Sequence, residues 1–253
     1  MQLGLVTYMW GAEWDVPTII KNCQATGFRG VELRSGHKHG VELPLHVTQR
    51  IEVRRRFADS QVTLIGIGSS CEYHSPDPAQ LKKNIEDTKA YIRLSHDVGG
   101  TGVKVRPNKL PPGVPVEKTL EQIGRALDQV ASYGEGYGIQ IRLEIHGPGT
   151  SEIPNVKKIM DAAPSSNARL CWNCNPEDLQ GRGLTANFNL LKNRLGDTVH
   201  VHDLISSYPW RDFFALLRKE NYQGWTLLEE NSPTADPLRV MKYYRLLWQT
   251  MAG

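Results

Sequence analysis

The chain has 253 residues, 40% of them hydrophobic and 23% charged, with a formal net charge of +3. That length and composition suit one large globular domain with an ample core. The near-balanced charge gives no support to a nucleic-acid or membrane-surface role, and no apolar run reaches the roughly 18–20 residues of a membrane span. The first residues run straight into a strand-like segment with no signal-peptide pattern, so the expected location is the cytoplasm. Cys23, Cys71, Cys171 and Cys174 are too few for a disulfide scaffold. Cys171 and Cys174 have the spacing of half a zinc site, but no second Cys/His pair follows at finger-like spacing, so all four are expected as buried thiols.

Strand-like and helix-like runs alternate along the chain. Leu3–Tyr8 is expected as a strand and Asp15–Thr26 as a helix stopped by Gly27. Phe28–Arg34 is a second strand, with Val31 and Leu33 on one face and Glu32 and Arg34 on the other. The loop Ser35–Gly40 carries His37 and His39, and a helix follows over His46–Asp59 whose arginines form a solvated face. Val62–Gly68 is a third strand, Ser69–Asp77 an irregular connection that includes His74, and Pro78–Val98 a helix ended by Gly99 and Gly100. In the fourth strand, Thr101–Arg106, Lys104 and Arg106 share a face; a Pro-rich loop leads to a helix over Val116–Tyr133.

Ile139–Gly147 carries the clearest signal. Ile139, Ile141, Leu143 and Ile145 are apolar, while Gln140, Arg142, Glu144 and His146 between them are polar, the period of a strand. A helix over Glu152–Ala163, a strand over Ala168–Asn173 and a helix over Thr185–Leu195 come next. Strand seven is expected at Thr198–Leu204, a helix at Trp210–Glu220, strand eight at Gly224–Glu229 and the last helix at Asp236–Trp248. Repeated β-then-α units with no linker predict a parallel sheet with helices outside. Eight such units predict a closed (β/α)₈ TIM barrel, an α/β fold in which residues 1–253 form one domain. No G-x-G-x-x-G follows the first strand and no P-loop motif occurs, so a nucleotide-binding sheet is not indicated.

In such a barrel the polar row of each strand faces inward, and the carboxyl ends hold the chemistry. This places Glu32 and Arg34, Lys104 and Arg106, Glu144 and His146, Asn173, His200 and His202, and Glu229 or Glu230 around one mouth. Burying so many ionisable groups is costly unless they pair or bind something. Two carboxylates with imidazole and amide neighbours suit a divalent cation such as Mn²⁺, Mg²⁺ or Co²⁺. They also suit proton transfer at a carbon next to a carbonyl, one carboxylate removing the proton and the other returning it.

The segments GFRGVELR, LEIHG, LCWNCNPEDL, VHVHDL and GWTLLEEN, at strands two, five, six, seven and eight, give the chain its resemblance to a known group. It resembles the xylose isomerase-like TIM barrel superfamily, which includes sugar phosphate isomerase/epimerases and the D-tagatose 3-epimerase group and shares its barrel with endonuclease IV. The resemblance implies a sugar isomerase or epimerase with one divalent cation (Mn²⁺, Mg²⁺, Co²⁺ or Zn²⁺). By that resemblance Glu144, Asn173, His202 and Glu229 are the metal ligands, with Glu230 as fallback for Glu229, and Glu144 and Glu229 are also the catalytic acid and base. Where the group has Asp on strand six this chain has Asn173, which lowers the charge offered to a metal. His146, Lys104, Arg106, Glu32 and His200 are then the substrate-binding candidates. Lys104 and Arg106 either hold an anionic group or neutralise the carboxylates, and Trp10 and Trp14 either wall a sugar site or pack a loop. The implied partner is a small carbohydrate, with no nucleic acid and no membrane, and a homo-oligomer is compatible. Dehydration or β-elimination of a keto-sugar or inosose uses the same enediolate, and a non-catalytic sugar-binding barrel stays open through Asn173. An endonuclease IV-like phosphodiesterase is disfavoured because strand four offers Lys104 and Arg106 where that type supplies His.

Overall fold

The computed structural model describes residues 1–253. Eight strands pair in parallel and in chain order, and the last closes on the first. They are β1 (Gln2–Val6), β2 (Gly30–Arg34), β3 (Thr63–Glu72), β4 (Gly102–Arg106), β5 (Gln140–Glu144), β6 (Ala168–Trp172), β7 (Leu195–Val201) and β8 (Trp225–Leu228). Between them run α1 (Val16–Thr26), α2 (Val47–Ala58), α3 (Pro78–Val98), α4 (Val116–Glu135), α5 (Ile153–Asp161), α6 (Leu184–Leu191), α7 (Trp210–Lys219) and α8 (Pro237–Ala252). The (β/α)₈ TIM barrel expected from the alternation is the fold observed.

Local chemistry sets several element ends. Asp15 accepts the Thr18 amide at 2.9 Å to start α1, and Gly27, in the left-handed region at φ 79°, stops it. Asp77 and Gly99 do the same for α3. The outward apolar rows of the strands pack on the helices in a single cluster of 55 buried residues, which makes the chain one domain. All four cysteines are buried and unpaired, and no helix is long and apolar enough to cross a membrane.

The amino end of the barrel is closed by Arg142, which has no exposed surface. Its guanidinium donates to Gln140 Oε1 at 2.9 Å and to Thr101 Oγ1 at 3.1 Å. Gly102 makes room for it: a Cβ there would lie 2.4 Å from Arg142 Cζ. This end is therefore filled, and only the carboxyl end is open to a ligand.

Several boundaries differ from those predicted, and those of β3 and β7 matter most. β3 continues to Glu72 because Ser69 Oγ donates to Lys104 O at 2.7 Å and Glu72 pairs with Arg106, across a break in register. The segment Leu195–Asp197, expected partly in a helix, already belongs to β7. β7 in turn ends at Val201, so His202 lies beyond the strand while His200 stays within it.

Candidate functional site

The open end holds a cavity of about 230 Å³ lined by ten polar or charged residues and one aromatic one, Tyr8. That is below the ~300–1,000 Å³ usual for drug-sized ligands, so a small polar molecule fits best. Lys104, Arg106, Glu144, His146, Asn173, His202 and Glu229, all candidates from the sequence, line it together. Glu32 and His200 lie one layer deeper and do not reach the cavity wall.

Ionic contacts organise the floor. Lys104 Nζ, from β4, is 2.6 Å from Glu144 Oε2 at the end of β5, and both side chains are 3% exposed. The His200 ring, from β7, stands among three carboxylates, with Nδ1 3.5 Å from Glu144 Oε1 and 3.3 Å from Glu229 Oε2, and Nε2 3.4 Å from Glu32 Oε1. Neither ring nitrogen makes a well-aligned hydrogen bond, so these are charge contacts. Gly68 leaves space for Glu32, since a Cβ there would sit 2.7 Å from Glu32 Oε1.

The electrostatics follow from burial set against these neighbours. Burial pushes the Glu144 carboxyl up, but the Lys104 ammonium and His200 outweigh it and hold Glu144 well below the usual range. Glu229 is also lowered: burial and the Glu144 charge act upward, and His200 and Lys104 act more strongly downward. Burial disfavours charge on His200, yet the Cys171 sulfur and the carboxylates of Glu229 and Glu144 raise it well above the ordinary histidine value. Lys104 is raised by Glu144, Glu229 and Glu32 against its own burial. The floor thus holds charged groups in mutual compensation rather than neutral ones.

Above it, Arg34 stacks on Tyr8 at 4.6 Å from the ring centre, with His37 Nε2 3.4 Å from its Nη1. Arg106 lies 3.6 Å from Glu72 Oε1 through one nitrogen, while its buried Nε has no partner. Glu72 also takes the Asn108 amide and faces His74 Nδ1 at 3.2 Å. His146 Nδ1 is buried without a partner, and burial foremost lowers its pKa, so the ring is neutral near pH 7. Asn173 Oδ1 is a second buried acceptor left unpaired, and Asn175 donates to Ile145 O at 2.5 Å. These unpaired polar atoms are available to a polar ligand.

Other candidates take quieter places. His39 is tied to Arg34 O at 2.8 Å, and Trp10 is buried with Nε1 donating to Ser232 O at 2.8 Å, so both brace loops. Glu230 accepts the amides of Asn231 and Ser232 and does not line the cavity, whereas Glu229 does. Asn175 and Asn231 are lining residues that strand parity could not single out, because they sit in loops past strand ends, and Tyr8, expected as the last residue of strand one, lies beyond the end of β1 at Val6.

A divalent cation meets this site only in part. Glu144, His200 and Glu229 each offer a ligand atom within 4.8 Å of the others. The four residues implied by the resemblance line the same cavity, but two of them are poor donors to an ion here. His202 faces Glu229 O through Nδ1 and Asn173 O through Nε2, both at 2.7 Å, and neither nitrogen is free. Asn173 brings no charge, and the Lys104 ammonium already sits on Glu144. Metal affinity rests on carboxylate charge and available donors, so these residues do not fit that ion as they stand.

No curated protein matches the sequence. Among solved structures, a D-psicose 3-epimerase in the presence of D-fructose superposes with a TM-score of 0.84 at 13% identity, covering 100% of both chains. A D-psicose 3-epimerase with D-tagatose from Clostridium cellulolyticum H10 gives 0.83 at 15% identity over 100% of this chain and 99% of that one. An IOLI protein with a binding zinc atom gives 0.78 at 12% identity over 99% and 96%. At such identities the likeness is one of fold. The sequence itself matches the family model over residues 20–245, and the chain belongs to the xylose isomerase-like TIM barrel family.

Proposed function

We propose that the protein is an isomerase or epimerase of a small sugar, in which Glu144 and Glu229 move a proton at a carbon next to the carbonyl. The observation that carries this is the pair of buried carboxylates, with oxygens within 4.8 Å of each other, at the floor of a small polar cavity. Like charges this close normally repel, and here Lys104 and His200 hold both groups ionised and ready to accept a proton.

One carboxylate takes the proton from the carbon, the C–H electron pair becomes a carbon–carbon double bond, and the carbonyl oxygen takes up the negative charge. That carboxyl passes its proton to the second carboxylate nearby, directly or by exchange with solvent, and the second delivers it to the opposite face, giving an epimer. Alternatively the first delivers it to the neighbouring carbon while the hydroxyl proton moves to the former carbonyl oxygen, giving an isomer. Asn173, His146 and Asn175 receive the sugar hydroxyls, and Arg34 and Arg106 at the rim favour oxygen-rich or anionic substituents. The sugar epimerases among the structural neighbours support the same reaction class.

Incubation with a panel of ketopentoses and ketohexoses in D₂O, followed by NMR, tests the proposal. Deuterium is expected at a carbon next to the carbonyl of at least one sugar. Absence of exchange across the panel, free sugars and sugar phosphates alike, overturns it.

A further inference from the structure

We propose that the Lys104 ammonium is the resident cation of this site, standing where a divalent ion would otherwise be held, so that proton transfer runs without a bound metal. Three independent features of the chain converge on this. Lys104 Nζ lies 2.6 Å from Glu144 Oε2, with both side chains almost fully buried and both lining the cavity. It thus occupies the coordination space of the one carboxylate that every arrangement of metal ligands here would need. A dication placed there must either expel the ammonium or sit beside it, and two positive centres a few ångströms apart in a desolvated floor repel strongly.

The second feature is the neutral Asn173, whose unpaired Oδ1 offers a dipole to a hydroxyl but no charge to an ion. The third is His202, whose two ring nitrogens are engaged by the Glu229 and Asn173 carbonyls and which therefore serves as a brace between β6 and β8. Basic side chains also surround the carboxylates without an added ion. Glu32, Glu144 and Glu229 are met within the barrel by Lys104 and His200, with Arg34 and Arg106 at the rim.

For its catalytic part this rests on the proton-transfer reading above. Lys104 then touches the substrate oxygen on which negative charge develops. As that oxygen becomes anionic, the ammonium is shared between it and Glu144, which does for the oxyanion what a Lewis acid does elsewhere. No bond to nitrogen forms, and Lys104 keeps its own protons; the proton in flight is carried by the two carboxyls and their exchange with solvent.

Metal binding is tested on the chelator-treated protein by titration with MnCl₂, following free Mn²⁺ by electron paramagnetic resonance and the melting temperature in parallel. The unaltered chain is expected to bind no stoichiometric Mn²⁺ and to melt unchanged, while Lys104→Met, with Glu144 released, gains one Mn²⁺ per chain and is stabilised by it. Stoichiometric binding by the unaltered chain overturns the proposal, whether or not the variant folds. For a sugar that exchanges, chelation should leave kcat intact, and Lys104→Met should lose roughly 100-fold or more in kcat with KM little changed. Exchange abolished by chelation and restored by Mn²⁺ overturns it as well. If no sugar exchanges, the titration still decides whether the site holds a metal.

Discussion

Replacing Lys104 by Met is the sharpest structural perturbation this barrel offers. Met keeps the length of the side chain and removes only the ammonium, leaving the Glu144 carboxylate buried without its 2.6 Å partner. Removing one member of a buried pair costs about 3–5 kcal/mol because the remaining charge is stranded. His200 still faces Glu144 Oε1 at 3.5 Å, which places the loss near the lower end, about 3 kcal/mol. For a chain of this size that lowers Tm by roughly 6–12 °C. Lys104 is raised above its ordinary value and Glu144 held well below its own. The stabilisation is therefore complete between the unfolded values, roughly pH 4.3 to 10.4. It is lost only as acid protonates Glu144 through its lowered value or alkali deprotonates Lys104 through its raised one. Urea unfolding at pH 7, without divalent ions, reads the difference, and Lys104→Met/Glu144→Gln should recover most of it by removing both charges. A single-variant loss below about 1 kcal/mol, the size of an exposed pair, would refute the picture of a desolvated ion pair.

The other predictions reach different parts of the molecule. Glu229→Gln should lower conversion of an accepted sugar by about 100-fold or more, whereas Glu230→Gln, whose parent only accepts loop amides, should leave it unchanged; steady-state assays separate them. Gly102→Ala should destabilise by about 1–3 kcal/mol in urea unfolding, because the new methyl meets the Arg142 guanidinium and the closed end has nowhere to relax. Asp178 is fully buried and accepts the Tyr208 hydroxyl at 2.9 Å; burial raises its pKa to about 7. Its folded form binds the proton more tightly than the unfolded form, so it costs stability as pH rises from about 4 to 7. Asp178→Asn should therefore gain on the unaltered protein at pH 8 and lose that advantage at pH 5, read from melting temperatures.

The barrel was legible because period-2 apolar rows and glycine-stopped helices repeat along the chain, and each such unit specifies its own packing. Glu144, Lys104, Asn173, His202 and Glu229 were legible as neighbours for the same reason, since strand parity places alternate residues inside and parallel order places strand ends together. What parity does not carry is depth and pairing. His200 and His202 share a face, yet β7 ends between them, so the first meets the carboxylates and the second turns to carbonyls. Lys104 could equally have held a ligand's anion. Its choice of Glu144 depends on side-chain reach across the barrel, which no alternation records. The extension of β3 to Glu72 depends on one serine hydroxyl reaching β4, and the lining residues Asn175 and Asn231 lie in loops without a period to read.

The two-carboxylate claim meets its most direct test in D₂O, with Glu144→Gln and Glu229→Gln compared on a sugar the unaltered protein converts. Loss of conversion in both is expected, with one of them still washing deuterium into the recovered starting sugar, because a single carboxylate can take and return a proton on its own face only. Conversion at the unaltered rate by either variant would contradict the account.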